Sequence, residues 1–305
     1  MSSGWLGALL IVLGLALPAQ GCGAESSGVS KAAEQPRSSR LVDFSRKPPY
    51  VNALDVDPRD GSLLLTTNRG FWRIDPVKDT VARVRGTITA GSKSSPVGTF
   101  LELKVVGPGK FIGSGHPDEL GSLPNFLGLI ESDDAGRTWR VISRLGGADL
   151  HKIVLAHDRI YAFDAVLGAL LISGDGGRTF VERFTPRGLI IDFEVDPRDP
   201  ERIFAANDSE LFRSQDGGES WRAVAQGDGI RLAWVAPDAF YRAEKGGTVQ
   251  RSRDGGEHWE PAGTVPGEPY KFKATGPEAL LLALSDGTVV ETEDGGRTWT
   301  EAFRP

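Results

Sequence analysis

Ten polar or aromatic residues stand where chemistry would be expected: Tyr50, Asn52, Glu102, His116, His151, Lys152, Asp192, Arg231, Tyr270 and Lys271. All but His116 fall at or beside the start of a short alternating run. The runs are Val51 to Pro58, Leu101 to Pro108, His151 to Asp158, Ile191 to Pro197, Arg231 to Pro237 and Lys271 to Pro277. If these starts converge, they make a ring of mixed charge. Such a ring binds a polar ligand or simply solvates a channel, and solvation is the plainer reading. A register slip of one residue reverses every face, so His151 and Lys152 are carried together. Tyr50 and Tyr270 would pack or stack on a ligand more readily than act as nucleophiles. His116, Asp118 and Glu119 lie in the longest insertion, Gly113 to Asn125, and long ordered loops are often functional. A metal site from His116, Asp118 and His151 lacks the tight spacing of metal ligands. No metal and no cofactor is expected.

The elements that must position these residues come from an internal repeat. An eight-residue phrase, Ser/Thr-x-Asp-x-Gly-x-x-aromatic, occurs at Ser132 to Trp139, Ser173 to Phe180, Ser214 to Trp221, Ser252 to Trp259 and Thr292 to Trp299. Its aspartates, Asp134, Asp175, Asp216, Asp254 and Asp294, are spaced by 41, 41, 38 and 40 residues. A period of this size means one supersecondary unit repeated. Short strand patterns broken by Gly and Asp turns surround each phrase, as in Ala279 to Ser285 and Thr288 to Glu293. The phrase reads as a hairpin turn. Its aspartate accepts backbone N–H groups, its glycines permit positive φ, and its aromatic packs between units. A calcium loop is the weaker reading. Only Ser132 to Trp139 pairs aspartates, and no copy carries the distal bidentate glutamate. Six units fit between about Tyr50 and Pro305, the first with Pro76 where the aspartate should be. The expected fold is therefore all-β, a six-bladed propeller over 46–305, because a lone blade cannot bury both faces. Leu41 to Arg46 is a candidate for completing the last blade.

The remaining composition narrows the class. A 25% charged and 39% apolar chain with net charge -6 suits a globular protein and argues against nucleic acid as a partner. Trp5 to Ala19 is almost wholly apolar but too short to span a bilayer, so 1–21 reads as a signal peptide. Ala19-Gln20-Gly21-Cys22 resembles a bacterial lipobox, making Cys22 the expected lipidation site. Residues 22–45 are small and polar and read as a flexible tether. The expected location is the cell envelope, anchored to the membrane through lipid; the alternative is a secreted or periplasmic soluble protein.

The repeated phrases resemble the Asp-box, or BNR, repeats of bacterial propellers, which sialidases, xyloglucanases, sortilin-type receptors and photosystem II assembly factors share. Gly113 to Pro117, Leu127 to Ser132 and Ala148 to His151 resemble short exported propellers labelled glycosylhydrolase-like or sialidase-like. Members of that group often have His-x-His where this chain has Tyr50-x-Asn52. A sialidase resemblance implies an arginine triad, a glutamate-activated tyrosine and an acid/base aspartate. The chain's Arg73-Ile74-Asp75-Pro76 interrupts the Arg-Ile-Pro phrase of that family. The main expectation is thus a propeller binding a glycan, a peptide or an envelope protein. The alternatives are an exo-glycosidase, in which case a glycoside hydrolase, and a membrane-complex assembly factor.

Overall fold

The structure, a computed structural model, describes residues 50–78, 80–118 and 122–305. The expected signal peptide, Cys22, the tether, Leu41 to Arg46 and Glu119 lie outside the described residues.

Every regular element among the described residues is a β-strand. The first unit is β1 (Val51–Asp57), β2 (Ser62–Thr67), β3 (Gly70–Asp75) and β4 (Thr80–Val84). The second is β5 (Thr87–Ala90), β6 (Lys93–Gly107), β7 (Lys110–Pro117), β8 (Leu129–Ser132) and β9 (Thr138–Ser143). The third is β10 (Leu150–Ala156), β11 (Arg159–Asp164), β12 (Ala169–Ser173) and β13 (Val181–Phe184). The fourth is β14 (Asp192–Val195), β15 (Ile203–Ala206), β16 (Glu210–Ser214) and β17 (Arg222–Gln226). The fifth is β18 (Arg231–Ala236), β19 (Ala239–Ala243), β20 (Thr248–Ser252) and β21 (Glu260–Thr264). The sixth is β22 (Pro269–Ala274), β23 (Leu280–Leu284), β24 (Val289–Thr292) and β25 (Thr300–Phe303).

Five units are four-stranded antiparallel meanders in strand order, and the arrangement is propeller-like. The inner strands β1, β6, β10, β14, β18 and β22 touch in that order, and β22 returns to β1. The expectation of six four-stranded blades is corrected at the second unit, which is a closed five-stranded sheet, so there are five regular blades. The cause is a hairpin between the first two units. Gly91, at φ 61°, turns β5 back onto the first part of β6, pairing Thr87 with Pro96 and Ala90 with Lys93. β5 then runs parallel to β9, with Ile88 opposite Trp139. Ile88 is the only fully buried member of its strand, which is too short to show a repeat pattern.

Apolar side chains fill the contacts between successive units. Each repeated aromatic packs between its own unit and the one before it. Trp139, for example, sits with Phe100 and Phe111 of its own unit and Phe71 of the first. The contact between the sixth and first units uses Leu281 and Val289 against Val51, Leu65 and Trp72.

The turns explain the repeated phrase. In the third unit, Asp175 Oδ1 accepts the Arg178 and Thr179 N–H groups at 3.0 and 2.9 Å. Its Oδ2 accepts the Thr179 hydroxyl at 2.7 Å, and Ser173 Oγ accepts the Gly177 N–H at 2.8 Å. The other four copies repeat the pattern, with minor changes of donor. The second glycine lets the turn dock: a Cβ on Gly136 would lie 2.6 Å from the Phe71 ring. In the first unit Asp75 does the same work one residue before Pro76, accepting the Val77 and Lys78 N–H groups at 3.0 Å.

Hydrogen bonds from Thr179 and Ser220 hold Asp175 and Asp216 at a pKa of about 2, below the ordinary 3.8. A depressed carboxyl stabilises the fold fully above its unfolded value and loses that contribution as pH falls toward the folded one. Thermal melts should therefore drop progressively between about pH 4 and pH 2. The Asp175→Asn, Asp216→Asn double variant should flatten that decline.

Ala135 stands in the left-handed region at φ 65°, where the other copies place Gly176, Gly217, Gly255 and Gly295. A side chain is strained there. Ala135→Gly should raise stability by about 0.5–1 kcal/mol in chemical denaturation, after allowing for the looser unfolded chain.

Candidate functional site

The inner strands are short and alternate in face, so each offers one or two side chains to the axis. Glu102, Lys152, Asp192 and Lys271 lie within electrostatic reach of one another, with Asn52 and Arg231 on the same set of inner strands. Glu102, Lys152 and Asp192 are buried, and Lys271 is half-buried. A second layer lies nearer the strand ends: Asp55, Lys104, Glu194 and Lys273. Lys152 joins the layers, its Nζ 2.6 Å from Asp192 Oδ1 and 3.2 Å from Glu194 Oε1. Lys273 Nζ lies 2.9 Å from Asp55 Oδ1, and Lys104 Nζ lies 3.8 Å from Glu102 Oε1.

The same side chains clip neighbouring strands. Asn52 Nδ2 donates to the Phe100 carbonyl at 2.7 Å, and Asp55 Oδ2 accepts the Val105 N–H at 3.0 Å. Asp192 Oδ2 accepts the Leu232 N–H at 3.0 Å, and Arg231 Nε donates to the Tyr270 carbonyl at 2.7 Å. Ser114 Oγ accepts the Leu150 N–H at 3.3 Å.

Ionisation follows from burial and pairing. Burial disfavours charge on Lys152, but Asp192 and Glu194 outweigh it and raise its pKa. Burial of Asp192 is likewise overcome by Lys152 and the Leu232 N–H, so its pKa is lowered. For Glu194 burial wins over Lys152, and its pKa is raised. Burial also wins at Lys104 and Lys271, whose pKa values are lowered despite nearby carboxylates.

A cavity of about 410 Å³ opens at the end of the ring where the inner strands finish. Asp55, Lys104, Glu194 and Lys273 supply its charge; Val154, Ala233, Trp234 and Phe272 supply apolar wall. None of the ten residues singled out in the sequence lines this cavity. At the opposite end Tyr50 and Tyr270 face each other with ring centroids 6.0 Å apart, and Tyr50 is 52% exposed. The Arg231 guanidinium lies over the Tyr270 ring at 5.8 Å.

The histidines separate from the axial group. Lys152, not His151, points inward; His151 is exposed and its Nε2 lies 3.1 Å from Asp149 Oδ2. His116 belongs to strand β7 rather than to a loop insertion, with Nδ1 2.7 Å from the Asn125 carbonyl oxygen. Its Nε2 lies 3.7 Å from Asp149 Oδ1, so Asp149 stands between the two rings. Arg73 lies on β3, away from the inner strands, paired with Asp57 at 2.8 Å and with Asp60. Tyr161 and Tyr241 are fully buried, with hydroxyls donating to the Pro200 and Pro277 carbonyls.

Sequence reasoning missed the second axial layer. Its signal was present in three charge–apolar–charge triplets, Glu102-Leu103-Lys104, Asp192-Phe193-Glu194 and Lys271-Phe272-Lys273. Alternation puts both charged members of each triplet on one face. Asp55 was obscured because the register shifts between Val51 and Ala53, placing it three residues after Asn52.

Repeat, turn and axial geometry together define a BNR-type propeller. Residues 189–304, which hold the fourth to sixth units, match the family described as photosynthesis system II assembly factor YCF48. In fold the chain is similar to YCF48 from Cyanidioschyzon merolae, at 14% identity and TM-score 0.48, covering 84% of this chain and 85% of that one. It is also similar to a structure of YCF48 bound to D1 peptide, at 13% identity and TM-score 0.54, covering 81% and 94%. An ancestral GH74 enzyme is similar at 14% identity and TM-score 0.51, covering 80% of this chain and 36% of that one. No curated protein sequence matches the chain.

Lys152 should be the most costly axial residue to neutralise. Lys152→Met leaves Asp192 and Glu194 buried without their shared cation, and should lower stability by about 3–5 kcal/mol in urea unfolding. A loss below about 1 kcal/mol would show that the ring is hydrated enough to do without the pair.

Proposed function

We propose that this protein is a peptide-binding propeller that serves as an assembly factor for a membrane or envelope complex, exported and held at the membrane through Cys22. The observation that carries the reading is the axial cavity. It combines two lysines, two carboxylates and an apolar wall within about 410 Å³. That mixture suits a chain end or a short extended segment, whose carboxylate meets Lys104 or Lys273 while an apolar side chain packs on Phe272 or Trp234. The match of residues 189–304 to the YCF48 family and the likeness to a peptide-bound YCF48 support a protein partner over a glycan. The outer rim of the third unit adds exposed Val166, Leu167, Val181 and Phe184, apolar surface of the kind a protein partner covers.

The immobilised protein should select peptides from a random display library, and the Lys104→Ala, Lys273→Ala double variant should lose that selection at least tenfold. Equal selection by the double variant would overturn the cavity as the binding site; no selection by either would overturn the reading. Lipid attachment is checked separately: labelled palmitate should enter the wild-type chain in a bacterial host and not the Cys22→Ser variant.

A second reading rests on one specific feature. Glu194, whose pKa burial raises, and Asp55 line the same cavity, and two carboxyl groups flanking one space are what glycoside hydrolysis uses. Both are tied to lysines, which argues for a structural role. Turnover of aryl glycosides that disappears in Glu194→Gln would favour this reading over peptide binding.

A further inference from the structure

A second open cavity, of about 650 Å³, lies at the outer side of the junction between the first and second units. Five arginines line it: Arg59, Arg73, Arg83, Arg85 and Arg137. Asp60 is the one acidic residue in its wall, in a chain whose net charge is -6.

The site is built from the fold. Asp57, with its side chain wholly buried, holds Arg59 at 2.7 Å and Arg73 at 2.8 Å, and Asp60 pairs with Arg73. Burial opposes the charge on Asp57, but Arg59 and Arg73 overcome it, so both guanidiniums are anchored by an ionised base. Arg83 lies over the Trp72 ring at 5.9 Å and across Gly70, where a Cβ would meet its Nε at 2.8 Å. Arg137 follows the strained Ala135 of the turn that docks on the first unit. Asp134, the nearest acid in that turn, is engaged with backbone N–H groups and the Thr138 hydroxyl. Among the described residues, no carboxylate pairs with Arg83, Arg85 or Arg137. Asp57 and Asp60 thus offset two of the five charges, and three remain directed at one concave space.

We propose that this cavity binds a multiply charged phosphate group. Guanidinium forks match phosphate oxygens in pairs, and an excess of three positive charges matches a diphosphate or a bisphosphorylated head group better than a single carboxylate. A long nucleic acid is disfavoured because the chain's net charge is negative. The inference does not depend on the peptide-binding reading, since no residue is shared with the axial cavity.

The test uses the folded protein at about 0.15 M salt, where scattered surface charges are largely screened. Inorganic pyrophosphate should bind in titration calorimetry, and the Arg83→Ala, Arg85→Ala, Arg137→Ala triple variant should bind at least tenfold more weakly with an unchanged melt. Lysine at the same three positions should bind at an intermediate level, because it keeps charge and loses the fork. Arg178→Ala, on a distant turn, should bind as wild type. A parallel arm measures co-sedimentation with vesicles of phosphatidylcholine alone or with added cardiolipin. Retention only with cardiolipin, lost in the triple variant, assigns the phosphate to a lipid head group; pyrophosphate binding without retention assigns it to a soluble ligand. Absence of both, binding indifferent to the triple variant, or preference for an acidic peptide over pyrophosphate overturns the proposal.

Discussion

The structure depends on a closed circuit of polar clips around its axis. Each junction between successive units is crossed by at least one directional bond near the axis. Asn52 and Asp55 reach the second unit, Ser114 the third, and Lys152 the fourth through Asp192. Asp192 also reaches the fifth, Arg231 the sixth, and Lys273 returns to Asp55 in the first. Apolar packing between blades gives the larger share of cohesion but has no direction. The axial bonds do, because a strand displaced by one residue turns its charged side chains into a core.

This arrangement divides labour by radius. At the axis, buried charges are costly to desolvate and contribute little net stability, so their value lies in fixing which strand stands beside which. Farther out, aromatic and aliphatic side chains between units supply burial. At the periphery the exposed carboxylates of the turns organise backbone N–H groups that the sheets leave unpaired. Asp55 and Asp192 each touch three units, and Lys152 spans both axial layers.

How much of this was legible in the sequence varies with the kind of signal. The repeated turn is local chemistry, so Asp134, Asp175, Asp216, Asp254 and Asp294 announced both hairpin and period. The inner strands were legible from the same period, and the structure brings Glu102, Lys152 and Asp192 near one another. Lys104, Glu194 and Lys273 were not singled out, although alternation carries them to the same face. The closed second unit was invisible because its distinguishing contact, Ile88 beside Trp139, is a parallel pairing across 51 positions that no local pattern encodes. The arginine cavity was equally hidden. Arg73 stands in the sequence only within an interrupted Arg-Ile-Pro phrase, and its companions come from three other stretches of chain.

Each sheet among the described residues is assembled from one continuous stretch of chain, the last as much as the first. Among the described residues no strand is shared between the sixth unit and the first, so their junction is a seam. It is held by Leu281, Val289, Val51 and Trp72 and by the Lys273–Asp55 pair, with no strand pairing across it among the described residues. Mechanically the ring of described residues is a bracelet fastened by side chains, and breathing at that fastening would widen the central opening without tearing any described sheet.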